Sequence, residues 1–65
     1  MKLDLGRCYE VEFASGNRVT FRYLGPNDQG QQDIEAPPGS GKRDTFERLV
    51  PGGYRDLKEV DCPDS

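Results

Sequence analysis

Residues 36–43 have the composition of a phosphate-binding loop, with two prolines, two glycines, a serine, a lysine and an arginine. The phosphate-binding motif begins with glycine and ends with Ser or Thr, and a helix of a much larger α/β domain follows it. Here Ala36 and Arg43 occupy the two end positions, in a chain of only 65 residues. We therefore interpret the segment as a glycine-rich hairpin loop whose Lys42 and Arg43 are available to contact an acidic partner or a phosphate.

Groups for acid–base catalysis or metal binding are scarce in this sequence. It has no histidine, the side chain whose ordinary pKa lies nearest neutrality, and its two cysteines are too few soft ligands for zinc. Four carboxylates alternate with apolar residues, as on the solvated face of a sheet: they are Glu10, Glu12, Asp33 and Glu35. The sequence therefore predicts a protein that is not an enzyme and that holds no cofactor and no metal.

The two cysteines, Cys8 and Cys62, are expected to be reduced thiols in a cytoplasmic protein. Residues 1–5 lack the apolar core of a secretory signal, and no segment is long and apolar enough to span a bilayer. Association with a membrane is therefore not expected. The alternative is a disulfide, which becomes possible if the first and last strands are neighbours in the sheet.

The charge balance does not favour nucleic acid as a partner. The net charge is −3 and the pI is about 4.7, so the chain lacks the overall positive field that attracts phosphate backbones. Tyr9 and Tyr23 alternate into the predicted core and are unavailable for stacking on bases. The remaining candidates for contact with a partner are Lys42, Arg43, Arg48, Tyr54 and Arg55.

Two alternating runs, 7–13 and 18–23, predict a β-hairpin joined by a three-residue loop at 15–17. This register places Phe13 opposite Val19, with Val11 opposite Phe21 and Tyr9 opposite Tyr23. It also pairs Glu10 with Arg22 on the outer face.

A turn centred on Asn27 and Asp28 leads to a third predicted strand over residues 31–36. Ile34 is then expected opposite Phe21, and Asp33 opposite Arg22, which extends a ladder of opposite charges across three strands. Phe13, Val19, Phe21 and Ile34 are expected to share the core.

Residues 43–50 allow two interpretations. A fourth strand would return Phe46 to face Ile34, whereas Asp44 with Glu47 three residues later makes a helix capping box. We prefer the strand because the growing antiparallel sheet needs a partner. After the breaker at 51–53, residues 54–61 form a final element that is either a bulged strand or a helical turn.

Five short segments separated by turns predict a mostly β protein, a five-stranded barrel built on an antiparallel meander. In chain length, strand count and loop lengths it resembles the SH3-like barrels, although it lacks the tryptophan of the peptide-binding SH3 groove. The alternative is a three-stranded antiparallel sheet with one short helix. Residues 1–65 are expected to form a single domain, with an ordered core at about 6–61 and a frayed tail at 62–65.

Elimination leaves an interaction module as the leading hypothesis for function. It would bind a protein partner, or a second copy of itself, through the loops at 37–43 and 51–55 and an exposed sheet edge. The alternative is a small barrel that binds RNA or single-stranded DNA through the five candidate residues named above.

Overall fold

The computed structural model describes residues 3–63. They form five strands and one short helix: β1 (Cys8–Glu12), β2 (Arg18–Pro26), β3 (Gln32–Glu35), β4 (Arg43–Thr45), α1 (Phe46–Leu49) and β5 (Asp56–Val60). The protein is mostly β, as predicted. The predicted fraying of Asp64 and Ser65 lies outside the described residues.

The five strands make one antiparallel sheet in the order β4-β3-β2-β1-β5. The meander from β1 to β4 and the placing of the last strand beside the first follow the prediction. The sheet does not close, however, so the expected barrel is not confirmed. β4 has only three residues, and at Phe46 the chain turns into α1 and makes no pairing with β5.

The predicted three-residue loop of the first hairpin is present but lies one residue earlier, at 14–16. The Gly16 N–H donates to the Phe13 carbonyl at 2.9 Å, and Asn17 closes the hairpin. Gly16 has φ +94°, the left-handed conformation required at the third loop position, where glycine avoids a steric penalty. The register therefore moves by two residues, and Val11 lies opposite Val19.

The predicted charge ladder is wrong for the same reason. A second three-residue loop, 28–30, also ends in a left-handed glycine, Gly30, and the strand before it, β2, contains a bulge at residues 23–25. Ile34 consequently lies opposite Tyr23, and Arg22 lies opposite Glu35. Glu10 forms an ion pair with Lys58 of β5 at 3.5 Å in place of the predicted pair with Arg22.

Residues 43–50 contain both of the structures that the sequence left open, in succession. The strand β4 ends at Thr45, whose hydroxyl accepts a hydrogen bond from the Arg48 N–H at 3.2 Å and so caps α1. The cap is therefore Thr45 and not Asp44. Phe46 does not face Ile34 from a strand, because Asp44 occupies that register position and Phe46 opens the helix.

The core lies on one side of the sheet under α1. Its buried members are Tyr9, Val11, Phe21, Tyr23, Ile34, Phe46 and Val50. Three aromatic rings pack in a row across the core: the ring centroid of Phe21 lies 5.8 Å from that of Tyr9 and 5.6 Å from that of Phe46. Of the predicted core residues, Phe21 and Ile34 are fully buried, while Phe13 and Val19 pack against the edge of the cluster.

The expectation of reduced thiols is wrong in this structure, since Cys8 and Cys62 form a disulfide with their Cα atoms 5.2 Å apart. The bridge follows from the topology: Cys8 lies opposite Val60 in the β1–β5 ladder, which brings Cys62 within reach. Cys8 does lie on the side of the sheet opposite the core, as alternation predicted. It is nevertheless buried there.

The last strand is regular and contains no bulge. Leu57 lies opposite Val11 and packs on the core, whereas Val60 lies opposite Cys8 on the other side of the sheet. The spacing of these two apolar residues, which did not alternate, thus reflects two apolar surfaces, one on each side of the strand.

Candidate functional site

A groove of about 580 Å³ opens on the surface of the described chain. It lies where the first half of β2, the β3–β4 loop, α1 and the segment after β5 approach one another. Its lining residues are Arg18, Val19, Thr20, Ala36, Pro37, Pro38, Lys42, Arg43, Asp44, Leu49 and Pro63. Six of them are apolar and three are cationic, a combination suited to a ligand with both apolar and anionic groups.

One wall of the groove is a stretch of β2 that has a partner on one side only. Residues 18–22 of β2 pair with β1, but β3 pairs only with residues 22–26. Beyond Glu35 the chain no longer pairs with β2. Pro37 has no N–H to donate to a ladder, and the Ala36 N–H donates instead to the Lys42 carbonyl, at 3.1 Å. The edge of β2 at residues 18–20 therefore faces the groove.

The β3–β4 loop already binds an anion, which is the carboxylate of Glu35 within the same chain. Its two oxygens accept hydrogen bonds from the N–H groups of Gly39, at 2.7 Å, and Gly41, at 3.0 Å. The Arg22 guanidinium lies 3.6 Å from the same carboxylate. Because these N–H donors already bind Glu35, the glycine-rich composition that resembles a phosphate-binding loop serves to hold the conformation of the β3–β4 loop.

The structure separates the five candidate contact residues. Lys42 and Arg43 line the groove, and within residues 3–63 neither side chain forms an ion pair. The Arg48 guanidinium lies 3.7 Å from the carboxylate of Asp44. That contact neutralises the single acidic residue of the groove.

The other two candidates lie outside the groove lining. The rings of Tyr54 and Phe46 make an edge-to-face contact with their centroids 5.7 Å apart, and Tyr54 is 38% exposed. Arg55 is 3.8 Å from the carboxylate of Glu12, which also contacts Arg18 at the same distance. The five residues therefore do not form one surface.

Sequence reasoning missed Arg18 and Pro63 as parts of the site. Arg18 begins an alternating run, and nothing in that pattern distinguishes it from the other polar residues of the strand; its position is special because β3 stops short of it. Pro63 was placed in a frayed tail, yet the bridge at the neighbouring Cys62 holds it beside the groove. The exposed edge was expected in general terms, and the proline pair at 37–38 was the signal for where it lies.

Within residues 3–63, no three His, Cys, Asp or Glu side chains are grouped so that they could hold a metal ion, and both thiols are consumed in the bridge. The helix found in this part of the chain, α1, is too short and too polar to cross a membrane. Comparisons with known protein families, curated proteins and solved structures find no match to this chain.

Proposed function

We propose that this protein is a non-enzymatic interaction module that binds a segment of a protein partner in the groove beside β2. The observation that carries the proposal is the groove itself, because it joins an apolar lining to a sheet edge that faces it. Lys42 and Arg43 belong to this binding surface. Arg48, Tyr54 and Arg55 lie outside its lining.

For the fold, we propose an SH3-like arrangement that is open on one side. The first and last strands are neighbours, and a short helix precedes the last strand, as in SH3-like barrels. This order leaves the seam between β4 and β5 unpaired, and α1 lies in the chain between these strands.

The sequence predicts a cytoplasmic protein. The Cys8–Cys62 disulfide favours an oxidising compartment instead. Disulfides persist in oxidising compartments and are rare where cellular thiols are kept reduced. Trapping of free thiols in protein taken from the source cells decides between the two: full modification of both cysteines identifies a reducing compartment.

A selection from a phage-displayed library of short random peptides tests the binding function. The variant Thr20→Trp fills the groove with an indole, and Gln29→Trp places the same side chain in the exposed β2–β3 turn as a control. We expect peptides selected on the native chain to lose binding to Thr20→Trp and to keep it on Gln29→Trp. Far-UV circular dichroism of both variants checks that each is folded.

Three results would overturn the proposal. The first is the recovery of no peptide, and the second is a set of peptides that bind both tryptophan variants equally. The third is enrichment from a parallel pool of single-stranded RNA without any peptide, which would favour the nucleic-acid alternative. A second copy of the chain as the partner predicts a dimer that Thr20→Trp dissociates, measured by analytical ultracentrifugation.

A further inference from the structure

The main-chain groups of β2 that face the groove can be assigned from the ladder. Tyr23 donates its N–H to the Arg7 carbonyl at 2.9 Å, and Phe13 donates to the Asn17 carbonyl at 2.8 Å. In an antiparallel pair the N–H and C=O of successive residues point to alternate sides. The odd-numbered residues of this half of β2 therefore bond to β1, and Arg18 and Thr20 direct their N–H and C=O groups toward the groove.

Within residues 3–63, no hydrogen bond engages the main chain of Arg18 or Thr20 on that side. Such groups are a template on which another extended chain can pair, with its main chain supplying affinity and its alternate side chains specificity. The groove thus combines a short strand edge with an open volume of about 580 Å³ beside it.

The charge of the groove selects the chemistry of that strand. Three cations line it, Arg18, Lys42 and Arg43, although the whole chain carries a net charge of −3. Within residues 3–63 Lys42 and Arg43 form no ion pair, and Arg18 shares the single carboxylate of Glu12 with Arg55, each at 3.8 Å. The acidic residue of the lining, Asp44, is paired with Arg48 at 3.7 Å. The groove is therefore a local positive surface on an acidic protein, and complementary charge on a ligand favours encounter and register.

We propose that the groove takes an extended segment rich in Asp and Glu from a partner protein, which adds as a strand to the edge of β2 at residues 18–20. This inference rests on the proposed function and names its ligand. Side chains of an added strand alternate, so one set of them faces the apolar lining of Val19, Pro38 and Leu49, while the acidic set reaches the three cations.

The probe is the peptide acetyl-Glu-Val-Glu-Val-Glu-amide, titrated into ¹⁵N-labelled protein at low salt. We expect the amide signals of residues 18–20 to shift and the amide protons of Arg18 and Thr20 to exchange more slowly when the peptide is bound. The matched peptide with lysine in place of glutamate is expected to bind about tenfold more weakly or not at all.

Methylation of the peptide nitrogens tests the strand pairing directly. In an added strand only alternate N–H groups face β2, so methylating either the valine or the glutamate nitrogens is expected to weaken binding about tenfold, and methylating the other set to change it about twofold at most. Lys42→Glu is expected to weaken binding of the acidic peptide about fivefold or more, whereas the exposed Arg7→Glu is expected to leave it unchanged.

The possible results distinguish a failure of the acidic-strand proposal from a failure of the proposed binding function. If library peptides bind in the groove but are not acidic, and the lysine peptide binds as well as the glutamate peptide, the acidic ligand is overturned and the binding module stands. If the acidic peptide binds and both methylated sets bind equally, strand addition is overturned. If oligouridine displaces the acidic peptide and binds more tightly, the protein ligand is overturned in favour of nucleic acid.

Discussion

Glu35 is the residue on which the shape of the β3–β4 loop depends. Its carboxylate is mostly shielded from solvent and accepts the N–H groups of Gly39 and Gly41 while facing Arg22. A neutral amide in its place can accept only one of these two hydrogen bonds and loses the charge. We expect Glu35→Gln to lower the free energy of unfolding by about 1–2 kcal/mol, measured by urea denaturation followed by circular dichroism.

Glu59→Gln is the matched control for that substitution. Glu59 lies 3.8 Å from Arg7, and both side chains are more than half exposed. Exposed ion pairs contribute little, so we expect a change of about 0.5 kcal/mol or less. Equal effects at the two positions would contradict the role assigned to Glu35, since they would reduce it to one more surface charge.

At the scale of elements, α1 is fixed to the sheet by its first residue. Phe46 is buried and packs its ring against Phe21, at 5.6 Å, and Tyr54, at 5.7 Å. We expect Phe46→Ala to destabilise the protein by about 3 kcal/mol or more, because it leaves a cavity between the helix and the sheet. Urea denaturation measures the loss.

Two further variants test the role of Phe46 even if Phe46→Ala fails to fold. Phe46→Leu retains most of the apolar volume, and we expect it to fold with a smaller loss of about 1 kcal/mol. Leu5→Ala removes a side chain that is 71% exposed, and surface positions of this kind change stability by about 0.5 kcal/mol or less. A loss at Phe46 as small as that at Leu5 would show that Phe46 does not fix α1 to the sheet.

The sequence predicts an element well when the pattern that specifies it is local, and poorly when the element depends on a turn conformation or on packing. Alternation in 7–13 and 18–23 correctly predicted two strands with their apolar residues on one face. The register was wrong by two residues because it depends on the conformation of a single glycine, Gly16. For residues 43–50 the strand and helix signals were both real, and the change from strand to helix occurs where Thr45 caps α1 and Phe46 packs on the core.

At the scale of the whole molecule, the groove was beyond prediction from the sequence. It arises because β3 stops at Glu35 while β2 continues, and because the last described residues return beside it. Lys42 and Arg43 could be named from composition, since the loop that carries them is evident. Arg18 could not, because its role depends on pairings between strands that local patterns do not encode.

The disulfide adds a covalent link to the pairing of β1 with β5 near the two ends of the described chain, and a core this small makes its contribution large. Closing a loop of 54 residues between Cys8 and Cys62 removes conformational entropy from the unfolded chain equivalent to about 4 kcal/mol. Domains of this size have little more than that to lose. We therefore expect the reduced protein, and the variant with Cys8→Ser and Cys62→Ser, to unfold at a much lower urea concentration than the oxidised protein.

Because Pro63 follows the bridge and lines the groove, peptide binding should weaken in parallel in whatever fraction stays folded. An unchanged urea midpoint after complete reduction, confirmed by thiol titration, would mean that the sheet and α1 hold the fold without the bridge.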